Sequence, residues 1–221
     1  MDERQTDSVP PEPRASARAG FLHAAHSANE QENRCPSISH TAYLGLGSNL
    51  GDRLGSLRAA VYALDKHDGI RVDRDHGVAA VYETSPVGGP RDQPLYLNSA
   101  VRITTTLDPH FLLFSILHIE SDLGRERGER WSARTIDIDI LLYDHLTLDE
   151  ERLTIPHPRL HERRFVLAPL SDIAGDMTHP GLGLSIQELA RKLDVNGPSE
   201  RVVRLPDQLL LVRPTPPAAK R

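Results

Sequence analysis

From Thr41 to Gly47 the chain is apolar and runs into glycines, the pattern of a buried strand entering a turn. Leu54, Leu57, Val61 and Leu64 then recur at helical spacing, and Asp52 stands where it can cap that helix. Residues 70–83 carry Val78, Val81 and Tyr82 among β-formers. The run Ser85-Pro86-Val87-Gly88-Gly89-Pro90 breaks any regular structure until Tyr96. Leu97–Thr106 reads as the next strand. Asp108-Pro109 after it has the form of an N-cap with proline in the first turn, and Leu112, Leu113, Ile116, Leu117 and Leu123 repeat as a second helix that Gly124 ends. Beyond an arginine-rich loop, Thr135–Tyr143 alternates and then turns fully apolar, and shorter helical patterns follow at 161–172 and 185–193.

The order β-α-β-β-α-β, with each helix crossing to one face of an antiparallel sheet, predicts an α+β fold of the ferredoxin-like arrangement with additional C-terminal helices. The 221 residues suit one domain with tails. Residues 1–40 are rich in Pro, Ser, Ala, Arg and Glu and poor in aromatic and β-branched residues, too little apolar surface to offset ordering entropy, so a disordered tail is predicted. Residues 208–221 form a Pro-rich C-terminal tail, which leaves 41–207 as the folded domain. A net charge of -5 supplies no chain-wide basic field for nucleic acid, so any phosphate site is local. Cys35 is the single cysteine, which excludes an internal disulfide and a thiolate-rich zinc site. No stretch approaches the roughly 20 consecutive apolar residues that span a bilayer, and no signal-like run opens the chain. The expectation is a cytoplasmic protein without membrane or nucleic-acid partners.

Chemistry concentrates on one predicted strand. In Arg134-Thr135-Ile136-Asp137-Ile138-Asp139-Ile140, the period of two puts the isoleucines on one face and both aspartates on the other. Their Cα atoms would stand about 7 Å apart, close enough for repulsion to disfavour double ionisation unless a cation lies between them. Magnesium fits, since it binds through one or two carboxylates together with substrate phosphates. By itself the pair reads equally well as the solvent face of an antiparallel strand. The segment before it, Gly124 to Arg134, holds Arg125, Arg127, Arg130 and Arg134 in a polar, glycine-punctuated loop, and arginine's rigid donor fork suits phosphate oxygens. A second basic cluster follows: Arg152, His157, Arg159, His161, Arg163 and Arg164. His157 and His161 lack the glutamate of a zinc-binding His-Glu-x-x-His motif, and His161 reads as a surface residue near a helix start. No Gly-x-x-x-x-Gly-Lys-Ser/Thr loop is present, and Gly45-Leu46-Gly47-Ser48-Asn49-Leu50-Gly51 has the wrong spacing for a dinucleotide fingerprint. Its glycines read as a strand-to-helix turn.

Ala42 to Asp52, Asp92 to Val101, Arg130-Trp131 through Asp139, and Pro156-His157-Pro158 come in the order and spacing of the hydroxymethyl-dihydropterin pyrophosphokinase family, which the chain resembles over about residues 41–195. The resemblance implies transfer of a diphosphate from Mg-ATP to 6-hydroxymethyl-7,8-dihydropterin, giving AMP and the pterin diphosphate, in folate synthesis. It implies two Mg2+ ions on Asp137 and Asp139, with Asp137 also near the pterin hydroxyl, and Arg125 and Arg134 as catalytic arginines. Glu120, Arg127, Trp131, Arg134, Arg152, Thr154, His157 and Arg163 are the implied ATP-binding positions. Tyr96 and Phe165 would stack the pterin, Asn98 would read its edge, and Thr84 and Val87 would add backbone contacts. Small molecules are the only partners implied, and the chain is expected to act as a monomer. Departures fall at Ser85, where many relatives have proline, at Pro158, where an aromatic often stands, and at Leu117, which can be a nucleotide-contacting glutamine. The arginine loop is also one residue shorter than in some relatives. Rival expectations are a magnesium-dependent phosphohydrolase using the same aspartates and a ligand-sensing module with no metal requirement.

Overall fold

The computed structural model describes residues 38–88, 93–125, 133–196, 201–206 and 209. The expected tails at 1–40 and 208–221 lie outside these residues except at their inner ends.

Strand β1 (His40–Ser48) is an interior strand of an antiparallel sheet. Helix α1 (Arg53–Lys66) follows it, with the Asp52 side chain accepting from the Gly55 N–H at 2.9 Å as the expected cap. Where one strand was expected over 70–83, two short ones form, β2 (Ile70–Val72) and β3 (Tyr82–Thr84). The interruption has a local cause. Asp73 Oδ1 accepts from the N–H groups of Asp75 and His76, and its carbonyl takes the Gly77 N–H, which folds the chain into a turn. Pairing then resumes on the same neighbour, so β2 and β3 both lie along β4 (Tyr96–Thr105).

Helix α2 (Pro109–Asp122) begins on Asp108, whose carboxylate accepts from the His110 and Phe111 N–H groups, and closes with Gly124 at φ +80°, where glycine carries no penalty. Strand β5 (Asp137–Tyr143) pairs with the free side of β1. A hairpin of β6 (Leu148–Glu150) and β7 (Leu153–Ile155) comes next, then a 3-10 turn at Leu160–Glu162, α3 (Arg164–Ala174), α4 (Ile186–Asn196) and β8 (Val202–Arg204). The hairpin and β8 had no clear sequence signal, being three-residue strands without a full alternation. The main sheet runs β5-β1-β4-β3-β8, with β2 also on β4.

Strand alternation divides the interior. Ala42, Leu44 and Leu46 of β1 join Leu57, Leu64, Leu112, Ile116 and Ile138 in one cluster with α1 and α2, and Leu209 is buried in the same cluster. Tyr43 on the opposite face joins Leu141, Leu160, Leu167, Leu170 and Ile186 in a second cluster with α3 and α4. Helices α3 and α4 leave part of that second face uncovered, and the cavity opens there.

Candidate active site

The cavity has a volume of about 370 Å³, and its floor is the sheet. Gly45 and Gly47 line it from within β1, so they do not form the expected turn. Gly47 is paired with Asn98 of β4 on one side and Asp137 of β5 on the other, while Gly45 is paired with Asp139. A Cβ on Gly47 would meet Asn98 Oδ1 at 3.0 Å. These positions keep the floor at backbone height, which brings the amide and the carboxylates within reach of one ligand.

The alternation of β5 works as expected: Ile138 and Ile140 are buried against the helices, while Asp137 and Asp139 both line the cavity. Arg125 contacts Asp137 Oδ1 at 2.7 Å and Arg134 contacts Asp137 Oδ2 at 2.7 Å, so this carboxylate is held between two guanidinium groups. Asp139 has no side-chain hydrogen bond or ion pair among the described residues. Burial and the neighbouring Asp137 push its pKa up to about 6, against the pull of Arg163, Arg125 and Arg134. A hard oxygen donor that the fold makes costly to ionise alone, two residues from a second carboxylate, is a donor set suited to a divalent cation.

Glu120 is only 2% exposed and lies beneath these groups. It accepts the Ile138 N–H at 2.7 Å and pairs with Arg125. Burial raises its pKa to about 7, with Arg125 and the Ile138 N–H acting in the other direction. Its place is therefore behind the arginine that touches Asp137.

The other wall carries the aromatic and amide groups. Tyr96, Asn98, Thr84, Val87 and Phe165 all line the cavity. Asn98 donates through Nδ2 to Thr84 Oγ1 at 2.7 Å, which fixes the amide and turns Oδ1 towards Gly47. Ser85 and Pro158, two of the departures from the family pattern, line it as well. His157 and Arg163 complete the rim, with the Arg163 guanidinium 5.5 Å from the Phe165 ring centroid. Burial and the adjacent Arg163 lower the His157 pKa to about 4, so this imidazole is neutral near pH 7. Arg163 Nε is buried without a hydrogen-bond partner among the described residues.

Two implied nucleotide positions stand apart. Arg152 is exposed at the turn between β6 and β7, and Thr154 on β7 donates to Asp149 at 3.3 Å; neither lines the cavity. Leu117 is 43% exposed on α2 and also lies away from it. Arg127 and Trp131 lie outside the described residues. Sequence reasoning passed over Asn49 and Gln93 as individual site residues, although both fall within the matching segments. Asn49 is buried, and its hydrogen-bond partners lie 44 and 85 residues away, a pairing that no local periodicity announces.

Residues 43–175 match the profile of the family described as 7,8-dihydro-6-hydroxymethylpterin-pyrophosphokinase (HPPK). The chain belongs to this family. Among curated members, it is 48% identical to 2-amino-4-hydroxy-6-hydroxymethyldihydropteridine pyrophosphokinase of Bacillus subtilis over 136 residues, covering 62% of this chain and 79% of that one. Identity to the protein of the same name from Methylorubrum extorquens is 47% over 156 residues, covering 71% and 95%. A mitochondrial folate synthesis bifunctional protein of Arabidopsis thaliana is 46% identical over 139 residues, 63% of this chain but 24% of the longer one. Among solved structures, wild-type HPPK-DHPS of Plasmodium falciparum with pteroate superposes with a TM-score of 0.59 at 15% identity, over 76% of this chain and 48% of that chain. The present chain thus spans about half the length of that HPPK-DHPS chain, and at this identity the likeness concerns the fold alone.

Proposed function

We infer that this chain transfers the diphosphate of ATP to the hydroxymethyl oxygen of 6-hydroxymethyl-7,8-dihydropterin, giving AMP and the pterin diphosphate in folate biosynthesis. The observation that carries this reading is the union, in one cavity, of a carboxylate pair with arginines and an amide flanked by aromatic side chains. Family membership and the names of relatives at 40–48% identity support it. A flat heterocycle would lie between Tyr96 and Phe165, with its polar edge on Asn98 Oδ1. Thr84 and Val87 would add backbone contacts at that edge. Arg125, Arg134, His157 and Arg163 would face the phosphates. Neutral His157 would offer a hydrogen bond there without adding charge. Glu120 would contribute by holding Arg125, and Arg152 and Thr154 would reach the nucleotide only at the cavity's outer margin. Arg127 and Trp131 complete the proposed nucleotide set.

Asp137 and Asp139 would hold magnesium, two ions in our reading, which when bound neutralises phosphate charge and polarises the phosphoryl group. Phosphoryl transfer depends mainly on positioning and electrostatic stabilisation, and the protein groups present suit those tasks. The strand order β5-β1-β4-β3, with α1 and α2 packed against the sheet, supports the ferredoxin-like topology. Action as a monomer is part of this proposal. Among the described residues no helix is long and apolar enough to cross a membrane. The ATP requirement and a single cysteine support a cytoplasmic setting.

Phosphorus NMR of the protein with Mg-ATP, with and without 6-hydroxymethyl-7,8-dihydropterin, tests the reaction. AMP and a pterin diphosphate are expected only when magnesium and pterin are both present. Free phosphate or ADP produced without pterin would replace this reading with hydrolysis.

A further inference from the structure

We propose that Asn49 is a positioning residue for the transfer reaction, joining the pterin-side loop to Arg134. The inference rests on the pyrophosphokinase reading. Asn49 directly follows β1 and is 1% exposed, yet it does not itself line the cavity. Its side chain is divided between two distant segments. Oδ1 accepts the Arg134 N–H at 2.7 Å, and Nδ2 donates to Gln93 Oε1 at 3.2 Å. The Asn49 N–H also donates to the Arg134 carbonyl at 3.1 Å, so the backbone of residue 134 is gripped on both of its polar groups.

Each end of this junction leads to a group that lines the cavity. On one side, the Arg134 guanidinium contacts Asp137 at 2.7 Å. On the other, Gln93 Oε1 also takes the Tyr96 hydroxyl at 3.4 Å. Arg53, in the first turn of α1, adds a second tether by donating to the Leu95 carbonyl at 2.7 Å. The stacking aromatic and the carboxylate-bound arginine are thereby referred to one rigid corner, the end of β1 and the start of α1. A side chain with one acceptor and one donor aimed at different segments is needed there. Aspartate keeps the acceptor for Arg134 and loses the donor to Gln93, and alanine loses both.

The test measures the single-turnover rate of pterin diphosphate formation, with pterin affinity from equilibrium binding to the folded protein. Asn49→Ala is expected to slow the rate about 10- to 100-fold, the scale of a small misplacement at a reacting centre, with pterin affinity changed less than threefold. Asn49→Asp is expected to lie between Asn49→Ala and wild type, and Gln93→Ala to match Asn49→Asp. The decisive comparison uses an Arg134→Ala background, in which Asn49→Ala should slow the rate less than twofold further. A purely structural asparagine would give the same fold-loss in both backgrounds, and that result overturns the proposal. If Asn49→Ala does not fold, Asn49→Asp in the two backgrounds decides it by the same rule. An active wild type whose rate is indifferent to these changes overturns the inference alone, whereas a wild type that forms no pterin diphosphate overturns the reaction as well.

Discussion

Asp139 is held by the fold in a state that can be read without substrate. Its folded pKa, about 6, lies above the ordinary aspartate value of 3.8 because of burial and Asp137. Between those two values the folded protein binds more protons than the unfolded chain, so this group makes stability fall as pH rises. The penalty is absent below the unfolded pKa and complete above the folded one. Asp139→Asn removes it. The metal-free variant should therefore match wild type near pH 4 and exceed it at pH 7 by about 1–3 kcal/mol in urea unfolding. A stability difference that is constant across this range would contradict the assigned shift. Mg-ATP should reverse the ranking at pH 7, raising the melting temperature of wild type more than that of the variant, while turnover of the variant falls by at least about 100-fold. At this scale the aspartates were legible because a period of two needs only five residues to be seen. The coupling of Asn49 to Gln93 and Arg134 was not, since it arises from loops that meet only after β1, β4 and β5 have paired.

Helix α2 and strand β5 are joined by a buried carboxylate as well as by apolar contacts. Glu120 takes the Ile138 N–H and Arg125 together, so one side chain fixes both the strand and an arginine of the site. Glu120→Ala should cost about 2–4 kcal/mol, because it leaves a buried N–H and a partly buried guanidinium without their acceptor. Glu120→Gln keeps an acceptor for Ile138 and should recover much of that stability in urea unfolding while remaining slow in turnover. Equal stability of the two variants would count against the strand-holding role. The sequence contained a signal for this: Glu120 falls four residues after Ile116 and eight after Leu112, on the buried stripe of the helix. An acid on such a stripe asks for a buried partner. Elements were legible where their period was long, as in β1, α1, α2, β4 and β5. They were misjudged where a side chain redirected the backbone, as Asp73 does between β2 and β3, or where three residues form a strand only because a partner awaits them, as β8 does on β3.

The molecule as a whole places its chemistry on the sheet face that α3 and α4 only partly cover. Residues 38–209 contain every described group of the site and the buried Leu209, whose side chain belongs to the main core two residues beyond the expected boundary. A chain trimmed to 38–209 should keep wild-type turnover in the phosphorus assay. Trimming further to 206 should lower stability by about 1.5–3 kcal/mol, the burial of one leucine. Loss of turnover on removing residues 1–37 alone would assign the N-terminal segment a part in the reaction. The backbone floor at Gly45 and Gly47 bears on drug resistance. A compound resting on it contacts main-chain atoms, which no substitution removes. The simplest escape, a methyl group at residue 47, would crowd Asn98 Oδ1, the same acceptor the natural substrate is proposed to use. Inhibitors anchored there should therefore select few variants that remain able to make folate, whereas those reaching out to the exposed side chains of the rim leave the enzyme many ways to evade them.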